Sequence, residues 1–453
     1  MRSSPPAYTP AVTERFQRAF GGRRPALIVI AVFALGLGLR LDYAIRAPNH
    51  PVDDARAYAR IARALYGGEG FTQGEGPGYR RLQPASNYSP GLPLLTGGFY
   101  EIRGAADERA ARILLALLSS LAVPLAFVLG RRLGGPAAGA IAAAPAAIYP
   151  ALLEYSGMLI AEPLGSALLA GAIVAFLWAW GNRRLWPWAC AGLLLGALAM
   201  LRPEYVVLIP LLPALALLRL RGARGFEPGG LSRPALMAGC ACLIALPWTI
   251  RNFVVFDRLA PISTGGGQVL YEGSYIPAGP DPERIGPVLL ARHPWIRREL
   301  GPQPGPIYRG QAVALLAARR HPGEDADVAL RGMAIRNYLD AAAEEPLTLA
   351  GFLAGKVWLA WTDPARDVMR LPLWRGMQLL LLLAAAVGLL VGLVRRSLEA
   401  VVLAVLVAVV TAIQATFIAS PRRTLMLLPE ISALAGLGLT WCVARARAAI
   451  GAR

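Results

Sequence analysis

The sequence predicts an all-α polytopic membrane protein, a bundle of about 10 to 12 transmembrane helices with two long extracytoplasmic loops. Three observations carry this prediction. Hydrophobic residues make up 56% of the chain and charged residues 16%, against roughly 45–50% and about 25% in soluble domains. Mean hydropathy is +0.48. Apolar runs close to the length of about 20 residues that crosses a bilayer recur along the chain.

Taken in order, ten spans are expected, near 26–45, 110–130, 136–153, 158–180, 187–201, 204–219, 234–251, 373–394, 398–418 and 424–443. Residues 1–25 read as a cytoplasmic tail, because Arg15, Arg18, Arg23 and Arg24 precede an apolar run too long for a signal peptide. With that tail inside, Arg131-Arg132, Arg183-Arg184, the 219–233 loop, Arg395-Arg396 and the closing tail 445–453 all fall on one side. This is the positive-inside pattern. The organisation is then a core over 26–251 that includes the first outer loop 46–109, a long outer loop over 252–372, and final spans over 373–444. Within the long loop, 347–361 is apolar but interrupted by Lys356, the only lysine of the chain. It reads as an interfacial or re-entrant helix, with a hairpin of two short spans as the alternative. The stretch Asp281 to Gly323 shows neither strand alternation nor a long apolar run, and reads as a variable recognition segment. The protein is expected in the cell membrane, multi-pass, with its functional face extracytoplasmic.

The net charge of +18 comes almost wholly from arginine. Because these arginines are scattered over short loops instead of one polar face, nucleic acid is not an expected partner. The four cysteines lie inside apolar runs without paired metal-ligand spacing, and His50, His293 and His321 form no ligand cluster. No cofactor is expected, and a divalent metal finds no support in the sequence.

Candidate chemistry gathers at the outer ends. Asp53-Asp54 follows the first span and opens an amphipathic helix, residues 54–66, whose Ala57, Ile61, Ala64 and Leu65 would lie on the membrane surface. Helix capping needs only one of the two carboxylates. Arg202, Arg251, Arg422 and Arg423 fall where positive-inside statistics disfavour them. An arginine near the membrane core costs about 2.5–3.5 kcal/mol, so each needs an anionic partner, either a protein carboxylate or a ligand. Beside loops supplying Asp53, Asp54, Glu154, Glu162 and Glu204, the set reads as an anion site suited to phosphate. Glu162 begins an apolar helix, where the macrodipole alone would favour it. Arg202 with Glu204 reads as a supporting ion pair.

The first outer loop continues Gly67-Gly68-Glu69-Gly70-Phe71 and then Asn87-Tyr88-Ser89-Pro90-Gly91-Leu92-Pro93-Leu94-Leu95. An acidic pair, a helix carrying Tyr58 and ending in Gly-x-Gly-Phe, and this Pro-Gly-x-Pro-Leu-Leu segment together resemble the GT-C superfamily of membrane glycosyltransferases. Within it they resemble family 39, the protein mannosyltransferase-like and aminoarabinose transferase-like enzymes. Ser156-Gly157 through Glu162-Pro163-Leu164, Leu201 to Glu204, Pro247 to Asn252 with Pro261 to Gly267, and Ser420-Pro421-Arg422-Arg423 resemble later motifs of the group. Arg423 stands where many relatives have tyrosine. The resemblance covers most of the chain and is weakest over 275–345.

The resemblance implies a GT-C-like bundle and a sugar donor linked to polyprenyl phosphate, presented from the bilayer. A loop carboxylate would deprotonate a hydroxyl of a lipid, glycan or protein acceptor, which displaces the lipid phosphate with inversion. Asp53, Asp54 and Glu162 are the candidate catalytic groups, with Asp53 slightly favoured as base and Glu162 orienting the acceptor or sharing that role. Arg251, Arg422, Arg423 and Lys356 are the candidates for the donor phosphate, with Tyr58, Arg202 and Glu204 in support. The alternative is a transporter or lipid-linked sugar flippase with the same charges lining a path. Against it, the charges lie at one face and no inverted repeat of span lengths is evident.

Overall fold

The computed structural model describes residues 23–47, 53–73, 83–84, 87–182, 184–222, 225–226, 231–257, 259–302 and 309–451. Helices dominate. The only strands among the described residues are two short antiparallel pairs, Thr72–Gln73 with Gln83–Pro84 and Arg221–Gly222 with Gly225–Phe226.

The membrane core begins with α1 (Arg23–Arg46). Two outer helices, α2 (Asp53–Tyr66) and α3 (Gly91–Arg103), follow. Then come α4 (Glu108–Ser119), α5 (Ala122–Ile148), α6 (Pro150–Ser156), α7 (Ala161–Trp180), α8 (Trp186–Leu201) and α9 (Leu208–Leu220). α10 (Ser232–Phe256) leads into the second outer region. Among the described residues, seven helical segments are long and apolar enough to cross a membrane, and Trp186–Leu201 and Pro203–Leu218 are shorter apolar ones. Each of the ten apolar stretches of the sequence is helical over most of its length.

One of the seven, Glu108–Ile148, reverses direction inside α5. Gly134 (φ −142, ψ 16) and Gly135 (φ 84, ψ −175) break the helix. Glycine alone adopts the second conformation without strain. The two arms fold back so closely that a Cβ on Gly130 would stand 2.7 Å from the Ala138 carbonyl oxygen, and one on Gly139 would stand 2.7 Å from that of Phe127. The basic pair Arg131-Arg132 sits at this turn. There Arg132 meets Glu399 at 3.1 Å, far along the chain.

The second outer region is more ordered than its composition suggests. It contains α11 (Gly266–Gly273), α12 (Ile285–Arg292), α13 (Pro294–Leu300), α14 (Arg309–Arg320) and α15 (Ala326–Glu344). These helices share a hydrophobic core including Tyr271, Ile285, Leu289, Ile296, Val313, Leu316, Leu330 and Met333. The expected recognition segment is thus packed structure; its helices are short and broken by Pro and Gly, so no single run is long enough to stand out in the sequence. α16 (Pro346–Thr362) covers the expected interfacial helix. The bundle closes with α17 (Pro372–Val394), α18 (Leu398–Thr416), the short α19 (Pro421–Leu425) and α20 (Leu428–Gly451).

α2 departs from expectation. Ile61 and Ala64 are buried in protein instead of lying on the membrane surface. Tyr58, Ala59 and Ala62 pack with Leu92, Tyr100 and Leu115, and Ile61 packs with Phe71. The reason is that α3 and α4 present apolar faces that cover α2, and an Arg63–Glu108 ion pair ties α2 to α4. Arg112 of α4 donates to the Ala47 carbonyl at 3.1 Å and the Gly157 carbonyl at 3.5 Å. This clamps the entrances to α2 and α7 side by side.

Candidate active site

The C-terminal ends of α1, α8 and α18 and the N-terminal ends of α7 and α20 meet at one end of the bundle. Glu162, in the first turn of α7, is fully buried. Burying a carboxylate is tolerated only where cations and hydrogen bonds replace water. Two arginines do so. Arg202, the residue following α8, pairs with Glu162 Oε1. Arg422 of α19 donates from Nε to the same oxygen at 2.8 Å. Arg422 also reaches outward, with Nη2 donating to Asp54 Oδ2 at 3.1 Å. Asp54 is the exposed end of this chain of charges, at 41% side-chain exposure against 0% for Glu162.

A second pair stands beside the first. Arg423 Nε lies 3.7 Å from Glu204 Oε1, while its Nη1 donates to the Ile418 carbonyl at 2.7 Å. The expected Arg202–Glu204 pair is therefore replaced: Arg202 pairs with Glu162, and Glu204 turns to Arg423. The physical reason is the chain break after α8, where Pro203–Val207 forms a 3-10 turn that separates the two neighbours in sequence. Three arginines face three carboxylates, so the cluster is neutral as a whole. Glu162 Oε2, Arg202 Nε and Glu204 Oε1 receive or donate no hydrogen bond among the described residues. Polar capacity is thus left at the centre of the cluster.

Tyr58 of α2 closes one side. Burial, opposed by Arg202, pushes its phenol up to about 12. Its ring stands edge-on to Tyr88, with centroids 5.6 Å apart. On another side the Arg422 guanidinium lies 5.8 Å from the ring of Tyr155. Arg366 lies over the same ring and pairs with Glu154. Sequence reasoning did not single out Tyr155 or Arg366; the signal available was the unpaired Glu154, whose partner comes from the far end of the long loop.

Two expected phosphate ligands are placed differently. Arg251 is surrounded by the rings of Phe71, Trp248 and Phe256 at 5.6, 4.9 and 5.2 Å. It donates to Asn252 Oδ1 at 3.1 Å and to the Phe71 carbonyl at 3.3 Å. Asn252 in turn binds the carbonyls of Ala260 and Ile262, and Trp248 binds that of Ile262. The Pro247 to Asn252 motif thus fastens the chain as it leaves α10, and brings Phe71 of the first loop with it. Lys356 is 2% exposed and donates to the carbonyls of Gly273 at 2.7 Å and Ala415 at 2.6 Å. These hydrogen bonds and ring contacts join other elements than the Glu162 cluster. For Asp53 the structure describes only the backbone, at the start of α2. His50 lies outside the described residues.

The fold and this cluster define a class: a multi-pass helical membrane protein whose charged site is assembled from helix ends at one face. The same fold occurs in the archaeal oligosaccharyltransferase AglB from Archaeoglobus fulgidus, solved in complex with an inhibitory peptide and a dolichol-phosphate. The match has a TM-score of 0.53 at 16% identity and covers 94% of this chain and 52% of that one. The apo form of the Archaeoglobus fulgidus enzyme matches with a TM-score of 0.51, again at 16% identity and with coverage of 94% and 52%. ArnT from Cupriavidus metallidurans bound to undecaprenyl phosphate gives 0.38 at 15% identity, covering 90% of this chain and 76% of that one. The chain spans about half the length of the oligosaccharyltransferase. In sequence, residues 87–249 match the family model of dolichyl-phosphate-mannose-protein mannosyltransferase. No curated protein sequence matches the chain. The matched segment and the shared fold are what the chain has in common with these proteins, and they agree with the resemblance carried by its sequence motifs.

Proposed function

We propose that the chain is a glycosyltransferase that moves a sugar from a polyprenyl-phosphate-linked donor to an acceptor hydroxyl at the extracytoplasmic face of the cell membrane. The observation that supports this most is the graded chain of charge from buried Glu162 through Arg422 to exposed Asp54. A displacement at the anomeric carbon needs a base at the acceptor and fixed positive charge at the leaving phosphate. Asp54, with Asp53 beside it in sequence, supplies the base: its carboxylate takes the proton as the acceptor oxygen bonds to the sugar. The bond between sugar and phosphate breaks with its electron pair on the phosphate oxygen, leaving polyprenyl phosphate.

Arg422 and Arg202 meet that phosphate. Because the cluster is neutral without substrate, an incoming phosphate competes with Asp54 for Arg422 Nη2, and its binding frees the Asp54 carboxylate toward the acceptor. Glu162 is too deeply buried to touch an acceptor and serves instead to hold both guanidinium groups in place. The oligosaccharyltransferase of similar fold was solved with a dolichol-phosphate, which agrees with a lipid-phosphate donor.

The test is donor turnover by the purified protein in lipid nanodiscs, followed as release of polyprenyl phosphate. Asp53→Asn with Asp54→Asn abolishes it while the protein still assembles normally. Wild-type turnover by the double variant would end the proposal. Accumulation of labelled sugar in the lumen of vesicles without a new glycosidic bond would favour a flippase instead.

A further inference from the structure

A separate cavity of about 580 Å³ opens in the outer helical region, lined by residues of α11, α12, α14 and α15 and their flanks. Small-molecule sites usually occupy about 300–1,000 Å³. Its buried wall is Tyr271 and Tyr275, whose rings stand 6.0 Å apart at 43°. The Tyr275 hydroxyl is buried and makes no hydrogen bond among the described residues. Asn337 donates from Nδ2 to Ser274 Oγ at 3.0 Å, keeping its side-chain carbonyl available to a ligand. At the rim stand Arg292, Arg320 and Asp340, none of which forms an ion pair among the described residues. His293, between the arginines, is held below the usual imidazole range by burial and then by Arg320 and Arg292.

The combination is specific in kind. Two unengaged guanidinium groups favour a carboxylate or phosphate. Tyrosine faces provide apolar surface with a polar edge. Asn337 and Asp340 provide acceptors for hydroxyl groups. A bare anion would use the arginines and leave the rest empty, and Asp340 would repel it. We propose that this cavity binds a sugar carrying one anionic group, a sugar phosphate or a uronate, independently of the Glu162 cluster. The binding needs no transfer step, so it holds or fails apart from the catalytic reading.

Equilibrium titration of the full-length protein in nanodiscs with glucose 1-phosphate, galacturonate, neutral galactose and inorganic phosphate tests it. One or both anionic sugars bind, and the two comparison compounds bind about tenfold more weakly or not at all, the factor of one charge-assisted hydrogen bond. Arg292→Ala and Arg320→Ala, on exposed side chains, weaken the anionic sugars by a similar factor of about ten. Comparable binding of neutral galactose or of inorganic phosphate overturns the proposal. So does an affinity indifferent to both rim arginines, or no binding of either anionic sugar.

Discussion

At the scale of single residues, the site is held by partners distant in sequence. Glu162 meets Arg202 and Arg422, and Asp54 meets Arg422 across most of the chain. That these residues were functional candidates was legible, because charge at the outer ends of apolar spans needs an explanation. Which acid served which arginine was not, since pairing depends on helix ends that converge only in three dimensions. The neighbours Arg202 and Glu204 illustrate it: adjacency suggested a pair, and a 3-10 turn sent them to different partners. Position also separates roles that sequence left merged. Removing one partner from a buried ion pair strands the other charge, at a cost of about 3–5 kcal/mol. Glu162→Ala strands Arg202 and leaves Arg422 with Asp54 alone, so it lowers the melting temperature in detergent sharply as well as abolishing turnover. Asp54→Asn removes only the exposed end of the chain and loses turnover with little change in melting. Equal melting losses in the two variants would refute this division of labour.

At the scale of elements, the close contacts depend on small residues and on helix ends. On α20, a Cβ added to Gly438 would stand 2.1 Å from the Ala384 carbonyl oxygen of α17, and one added to Gly436 would stand 2.3 Å from that of Ala138 on α5. Gly388 of α17 faces α20 equally tightly, 1.9 Å from the Leu434 carbonyl oxygen. Small residues at such faces let membrane helices approach closely. Gly388→Ala must therefore push α17 and α20 apart, with an overpacking cost of about 1–3 kcal/mol. A thermal melt of the purified variant reads it, whereas Gly376→Ala, where an added Cβ meets nothing within 4 Å, leaves the melt unchanged. Lys356 shows the same logic at helix ends. Its ammonium binds the carbonyls of Gly273 and Ala415, at the closing turns of α11 and α18, where backbone acceptors lack helical partners. One lysine thus ties three elements together, and a cation suits the negative ends of both helices. Lys356→Met fills similar volume but leaves the Ala415 carbonyl without its donor, at about 1–3 kcal/mol, while Gly273 keeps the Tyr338 hydroxyl at 2.8 Å. A donor-binding measurement that stays near wild type while stability falls would establish this tethering role over phosphate binding. The sequence pointed to Lys356 because it interrupts an apolar helix; its partners, two backbone carbonyls and the Tyr338 hydroxyl at 3.3 Å, left no trace there.

At the scale of the whole molecule, hydropathy and arginine placement made the bundle legible: the apolar stretches are helices, and the basic pairs and acid-rich regions fall at opposite helix ends. The folded outer region was not legible, because its core is assembled from short helices none of which is apolar enough to stand out. The two ends differ in their charge. Arg395 and Arg396 end α17 on the side of the Arg131-Arg132 turn, while α12 to α15 and the Glu162 cluster lie at the other end. Positive charge tends to be retained on the cytoplasmic side, so the proposed function expects the end bearing the cluster to face out. In a variant with its four cysteines replaced by alanine, Asp340→Cys should react with a membrane-impermeant maleimide added to intact cells. Arg395→Cys should react only after permeabilisation. The reverse pattern would put the charged cluster inside and remove an extracytoplasmic reaction, whatever its chemistry. Labelling of Asp340→Cys also reports on the outer cavity, whose rim it occupies. Protection of that cysteine by an anionic sugar, but not by neutral galactose, would place the cavity on the same exposed face as the Asp54 carboxylate.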